Sequence, residues 1–435
     1  MNRLYLIQIT MTILVFSLSK DYNRIEMVRS ALVGVVLFII SSCSRSAIIV
    51  GEACEPGTTE PCTCEDGSEG SRTCSDGTGW GECLCAPADA GADAGVEEPE
   101  ETVEVLDVPP DPDGADPEAD DAAEEDIAEE EDGGFVYVCP PTPDLKPYSG
   151  GACPVITGGP TAATSVVRDF YSAGDMRNFR FLVPASYDGS GEWPLVFAWH
   201  WLNASSRSFV EEGELETAAE EMRMLIVLPD VLEDDSGNKA YFFDWPFDPT
   251  CSNFAREKEL IFFDDLLTCI SLQYSVDRCR VHAVGVSAGA LWVTYLSTTD
   301  RVMVVASLES LSGGLAEIPL SLWTMQYVPQ PNKFPTVVLW GGVLDIFPPI
   351  NFNQASIRYR DALIADNHFV VTCTHGSGHA VPPIDPPPDG GTRFRSLWDF
   401  FMDHPYGLPP RWSPYQATGL PADFPDWCTI ATPWP

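Results

Sequence analysis

From residue 160 onward, short apolar runs alternate with longer stretches in which apolar side chains recur at helical spacing, the pattern of strands alternating with helices in an α/β sheet. The runs predict strands at 178–183, 194–199, 224–228, 280–284, 302–308, 336–340 and 369–373. Within 254–274, Leu260, Phe263, Leu266, Leu267 and Ile270 repeat as on a helix, and further helices are expected at 288–296, 353–365 and 393–402. No internal repeat is visible. The tail from Pro405, rich in Pro and Trp, is expected to pack irregularly over this domain.

Upstream the pattern changes three times. Residues 86–134 hold 21 Asp and Glu, no Lys or Arg and almost no large apolar side chains. Such a stretch cannot offset its ordering entropy by burial, and it reads as a disordered, self-repelling linker. Before it, Cys54, Cys62, Cys64, Cys74, Cys83 and Cys85 are separated mainly by Gly, Pro, Ser and Thr. That block has too little apolar mass to fold without staples, so three disulfides are expected. Zinc binding by the two Cys-x-Cys pairs is the rival reading. Two apolar runs open the chain, Leu4 to Leu18 and Ala31 to Ile40. The second has a charged start and a small-residue exit, as a signal peptide does.

Ile40-Ser41-Ser42-Cys43 resembles a bacterial lipobox, which implies lipidation of Cys43 and a true start at Met27. A buried helix, or an uncleaved anchor formed by the first run, are the alternatives. The six-cysteine block resembles a module found near the start of exported myxobacterial-type proteins. The expected organisation is a targeting segment over 1–42, a lipidated N-terminus over 43–53, a disulfide module over 54–85, the linker over 86–134 and a catalytic domain over 135–435. The protein is thus expected outside the cytoplasm, held to a membrane through Cys43 or released. Fourteen cysteines in one chain agree with an oxidising compartment.

The net charge of −41 is partly a linker property. From residue 135 there remain 34 acidic and 18 basic residues, a balance of −16. An acidic globule repels polyanions, which excludes nucleic acid as a partner and favours neutral or cationic substrates.

Candidate chemistry begins at Gly285-Val286-Ser287-Ala288-Gly289, between an expected strand and an expected helix. A nucleophile elbow needs that setting, because the Ser occupies a strained turn and small flanking residues let strand and helix approach. A serine hydroxyl needs a base. Of six His, His282 lies inside the preceding strand, His368 before a strand and His404 in a polar turn. His379, in Cys373-Thr-His-Gly-Ser-Gly-His-Ala-Val-Pro382, is the favoured base, since the Gly-Ser-Gly before it lets the loop bend; His375 is the alternative. In the chain order Ser, acid, His, Asp345 follows an apolar strand and two glycines and is the candidate acid. The oxyanion donors are expected to be the N–H groups of Ala288 and Trp201, the latter in the loop after strand 194–199.

These residues resemble the esterase family that includes secreted polyhydroxybutyrate depolymerases, feruloyl esterases and acetylxylan esterases. The match runs from about Arg180 to Trp398, through Pro194-Leu-Val-Phe-Ala-Trp-His200, Val276 to Gly289, Ser312-Gly313-Gly314, Gly341-Gly-Val-Leu-Asp345 and Gly378-His379-Ala-Val-Pro382. The resemblance implies the α/β-hydrolase fold, an ester substrate, the roles of nucleophile, acid and base for Ser287, Asp345 and His379, and no metal or organic cofactor. Trp201 stands where the family usually has Gly, so the mouth of the site is expected to be lined differently. Two other classes compete: an inactive hydrolase fold used for binding or adhesion, and a metal-dependent hydrolase using Cys373, His375 and His379.

Overall fold

The computed structural model describes residues 58–63, 69–73, 84–85 and 137–431, except 235, 249–250 and 319–322. The targeting segment, Cys43, the linker, and Cys54, Cys64, Cys74 and Cys83 lie outside the described residues. The chain divides into two units, one of them spanning Ser46–Val136. In that unit β1 (Thr59–Thr63), β2 (Glu69–Thr73) and β3 (Leu84–Cys85) form a three-stranded antiparallel sheet, with Cys62 on β1 and Cys85 on β3.

The larger unit begins its regular structure with β4 (Val166–Ser172), β5 (Asp175–Leu182) and β6 (Trp193–Trp199), then helices α1 (Ser206–Glu212) and α2 (Leu215–Glu221). Next come β7 (Leu225–Pro229), α3 (Asn253–Ser271), β8 (Val276–Val286), α4 (Ala288–Ser297) and β9 (Ser307–Leu311). A small hairpin pairs β10 (Glu317–Ile318) with β11 (Trp323–Thr324); after β12 (Thr336–Trp340) a second pairs β13 (Ile346–Phe347) with β14 (Ile350–Asn351). The described body ends with α5 (Phe352–Ala365), β15 (Val370–Thr374), α6 (Arg395–Asp403), α7 (Tyr415–Thr418) and β16 (Cys428–Ile430).

Nine strands make the central sheet in the order β16-β15-β12-β9-β8-β6-β7-β5-β4. The run from β7 to β15 is parallel; β16 at one edge and β5 and β4 at the other are antiparallel. Strands buried on both faces read as continuous apolar runs, which is why β6, β7 and β12 stand out in the sequence. On one face, Phe197 and Val281 pack with Phe263 of α3, Trp292 of α4 and Tyr359 of α5. On the other, Val196, Val284 and Leu339 pack with Phe209 of α1, Ala218 of α2 and Leu397 of α6. This is the α/β-hydrolase fold.

One expected strand is displaced. Residues 302–308 divide into a 3₁₀ turn, Asp300–Val304, and the start of β9, which continues through Glu309 and Ser310 to Leu311. The apolar run Val-Met-Val-Val drew the strand too early, while the true central strand carries three buried polar side chains, Ser307, Glu309 and Ser310. The tail is also more regular than expected, since its last described strand, β16, pairs with β15. His404 is not in an open polar turn but fully buried, bonded to Phe400 O and Ser413 Oγ.

Disulfides join Cys139 to Cys279, Cys153 to Cys269 and Cys373 to Cys428. Cys251 is disulfide-bonded as well, and no cysteine is free among the described residues. Seven cysteines after the linker therefore leave none of them as a thiol.

Candidate active site

β8 is the centre of the sheet and delivers Ser287 at its carboxyl end, just before α4. Ser287 has φ 54° and ψ −114°, a conformation that costs a non-glycine residue on the order of 1–3 kcal/mol and persists only where the surroundings impose it. They do so through the two glycines of the motif. A Cβ on Gly285 would strike the Gly289 carbonyl, and one on Gly289 would strike the Trp199 carbonyl. Strand, helix and the end of β6 thus meet backbone to backbone, and the Ser287 hydroxyl is pushed out at the apex.

Its partner is His379. Ser287 Oγ lies 2.9 Å from His379 Nε2, and His379 Nδ1 lies 2.6 Å from Asp345 Oδ1. The imidazole is stacked on Phe352, with ring centroids 4.4 Å apart, at the first position of α5. Asp345 is fully buried, yet its other oxygen, Oδ2, accepts from Ser312 Oγ at 2.8 Å and from the Gly341 N–H at 2.7 Å. Burial pushes its pKa up, but these hydrogen bonds and that to His379 outweigh it and hold the carboxyl below the ordinary aspartate value. The acid and base loops are themselves joined. The Gly378 N–H donates to Gly341 O at 3.0 Å, and a side chain at Gly341 would collide with the Gly378 backbone.

His375, four residues away, is outside this line. It is buried, its Nδ1 accepts from the Ser377 N–H at 3.3 Å, and its ring meets Trp427 edge-on. Burial lowers its pKa, which keeps it neutral. A metal set of Cys373, His375 and His379 also fails on geometry, because Cys373 is bonded to Cys428 and His379 is bonded to Ser287 and Asp345.

Ala288 opens α4, so its N–H has no intrahelical acceptor and is free for a ligand. The loop after β6 lies against the same helical turn, since a Cβ on Gly289 would also meet His200 O. That loop is clamped from outside: Trp245 Nε1 donates to His200 O at 3.0 Å, and the Asn203 N–H to Asp244 Oδ2 at 2.7 Å. Trp201 itself packs edge-on against Phe209 and lines the mouth of a cavity of about 320 Å³ that opens at Ser287 and His379. Its walls are mainly apolar, with Val284, Val286, Leu311 and Leu339 from the sheet and Phe394, Leu397 and Trp398 from α6 and the residue before it.

All three residues proposed from sequence as nucleophile, base and acid are thus brought into one hydrogen-bonded line, with Ala288 and Trp201 beside it. Sequence reasoning missed the roles of Ser312 and Phe352. Ser312 carried a signal, a Ser-Gly-Gly following a strand at the same end of the sheet as the elbow; Phe352 carried none.

No family model matches this chain, and no curated protein matches it in sequence. Solved structures do resemble it. pOPH, in a complex with pNPB, aligns with a TM-score of 0.50 at 16% identity, over 65% of this chain and 97% of its own. A CE1 ferulic acid esterase from Anaeromyces mucronatus, solved with ferulic acid, gives 0.40 at 15% identity over 55% and 89%. The poly(3-hydroxybutyrate) depolymerase LpqC from Bordetella parapertussis gives 0.36 at 15% identity over 49% and 84%. The first establishes a shared fold.

Proposed function

We propose that this protein is an exported serine ester hydrolase. The observation that carries the reading is the continuous hydrogen-bonded line from the Ser287 hydroxyl through His379 to an ionised, buried Asp345, opening on an apolar cavity. In the first step His379 Nε2 takes the Ser287 proton as Oγ bonds to the ester carbonyl carbon. The carbonyl oxygen, now an anion, is held by the N–H groups of Ala288 and Trp201. The C–O bond to the alcohol breaks, and His379 returns its proton to the departing alcohol. Water then repeats the sequence on the acyl-enzyme, giving the carboxylic acid and restoring Ser287. Asp345 accepts from Nδ1–H throughout, fixing the tautomer and stabilising the imidazolium.

The sequence resemblance supports a polyester such as polyhydroxybutyrate, or acyl and feruloyl groups on polysaccharide, as substrate. Paired cysteines support an oxidising compartment, and the lipobox-like run before Cys43 supports a lipid anchor that tethers the enzyme to a membrane through its acidic stalk. Labelling by a fluorophosphonate and ester hydrolysis in the presence of a chelator test the mechanism together. Both are expected in the parent and absent in Ser287→Ala; hydrolysis abolished by the chelator would refute it, and a folded protein that neither labels nor hydrolyses is a binding protein. Cys43→Ala is expected to release the protein from membranes or to accumulate a larger precursor. Full membrane retention with normal processing would remove the anchor.

A further inference from the structure

The two loops that bring Asp345 and His379 together present an apolar surface around the site. Val343, Leu344, Ile346 and Phe347 of the acid loop and Val381 of the base loop are all exposed, Val343 at 77% and Leu344 at 70%. The loops touch, since a Cβ on Gly378 would lie 3.2 Å from Leu344 O. Phe347 and Val381 also line the cavity at Ser287, so this surface is continuous with its mouth. No exposed charge interrupts it. Between Thr336 and Ile357 the one charged residue is Asp345, which is buried, and from Gly376 to Ile384 His379 is the one titratable side chain. Single exposed apolar residues are ordinary, whereas a cluster of them around an opening marks what the protein meets there.

The cavity behind this rim narrows the choice. Its volume of about 320 Å³ is about twice that of a cavity that holds one benzene ring, room for an alkyl tail of about ten carbons or fewer. Beyond the mouth, Val284, Val286, Leu311, Leu339 and Leu397 offer hydrocarbon only, and the Trp398 indole N–H is buried within the wall. An oxygen carried into this space would lose its water with nothing in return, which disfavours the next ester group of a polyester and the ring oxygens of a feruloyl group. A plain alkyl chain loses nothing.

We propose that the rim settles on the surface of an uncharged, water-insoluble aliphatic ester of the acylglycerol class, from which the cavity takes one acyl tail to Ser287. The charge balance selects the phase. A domain with 34 acidic and 18 basic residues, and no Lys or Arg in either loop, is repelled by an anionic bilayer but not by a neutral oil. Moving exposed apolar side chains from water into that oil is favourable in itself. This inference rests on the esterase reading above and narrows its substrate.

The test follows acid release from tributyrin by the full chain as the ester passes its solubility limit, beside hydrolysis of dissolved p-nitrophenyl butyrate. The parent's rate is expected to step up by on the order of tenfold as droplets form, beyond the plateau of the dissolved range. Val343→Asp combined with Leu344→Asp lowers the ratio of droplet to dissolved rates by about tenfold, and the milder Val343→Asn lowers it by a few-fold. Val155→Asp, at another exposed apolar residue outside the loops, leaves the ratio unchanged. Every protein carries the same N-terminus, so an anchor contributes equally. A parent without the step, or variants that label with fluorophosphonate and keep the step, overturn the inference and leave the esterase intact. Activation by anionic vesicles or polyhydroxybutyrate films in place of tributyrin droplets overturns it too, as does a dimer that the double variant splits while the step remains. A parent that hydrolyses neither ester and takes no label overturns the esterase reading, and this inference with it.

Discussion

Asp345 and Glu309 are both fully buried carboxyls, one in the loop beyond β12 and one inside β9, yet they are in opposite charge states. At Asp345 three donors converge, from His379, Ser312 and Gly341. At Glu309 there are none. Burial penalises both ions, Glu309 the more deeply, and the donors do the rest: where they exceed the desolvation cost the carboxylate survives, and where they are missing the proton stays. One sheet can therefore hold an anion at its rim and a neutral acid in its interior.

The largest effect comes from breaking the ionised end. Ser287→Ala and His379→Ala are each expected to lower kcat by on the order of 10⁴-fold or more, and Asp345→Asn somewhat less. Combining the first two should add little, since the base has no purpose without its nucleophile. Steady-state ester hydrolysis measures all four proteins, and a strictly additive double variant would deny that they act as a unit.

Ser312→Ala removes one donor from Asp345 and sharpens the comparison. A depressed carboxyl pKa gives stability that is present above the unfolded value and lost as pH falls through the folded one. With one bond fewer the folded pKa rises toward the ordinary value, so loss of structure on acidification should begin at higher pH. Turnover should fall by about tenfold, on the scale of one charge-assisted hydrogen bond. An acid-unfolding midpoint identical to that of the parent would show that the other two donors suffice.

Glu309 has the opposite sign. Its raised pKa costs nothing below the ordinary glutamate value and destabilises progressively above it, as the unfolded chain ionises and the folded one does not. The melting advantage of Glu309→Gln over the parent should therefore widen as pH rises above the ordinary glutamate value, by up to roughly 1.4 kcal/mol per pH unit. A constant difference would mean that Glu309 ionises in place. The smallest effect is expected of His375→Ala, which shares the loop of His379 but none of its bonds in the catalytic line; its turnover should stay within a few-fold of the parent.

The legible parts of this molecule were those where one physical demand fixes several residues at once. The elbow needs Gly at 285 and 289 to bring three backbones together, and the order Ser287, Asp345, His379 follows from successive strand ends. Helices α3, α4 and α5 were legible because long apolar faces repeat. β9 was misplaced because a strand with Ser307, Glu309 and Ser310 in the interior violates the apolar rule, and only the packed sheet reveals that Ser307 bonds His282 and Ser310 faces Thr294. α1 and α2 escaped notice at seven residues each. Phe352 stacks on His379 across an intervening loop, a contact for which sequence spacing has no rule.

The bond from Cys373 to Cys428 bears on the order of events during biosynthesis. The strand that carries the base loop acquires its outer neighbour, and its covalent tether, only from residues translated more than fifty positions later. A nascent chain that has already made Ser287, Asp345 and His379 still lacks the edge that holds the last of them in position. Closure of that edge thus waits on two late events, the emergence of Cys428 and its oxidation with Cys373.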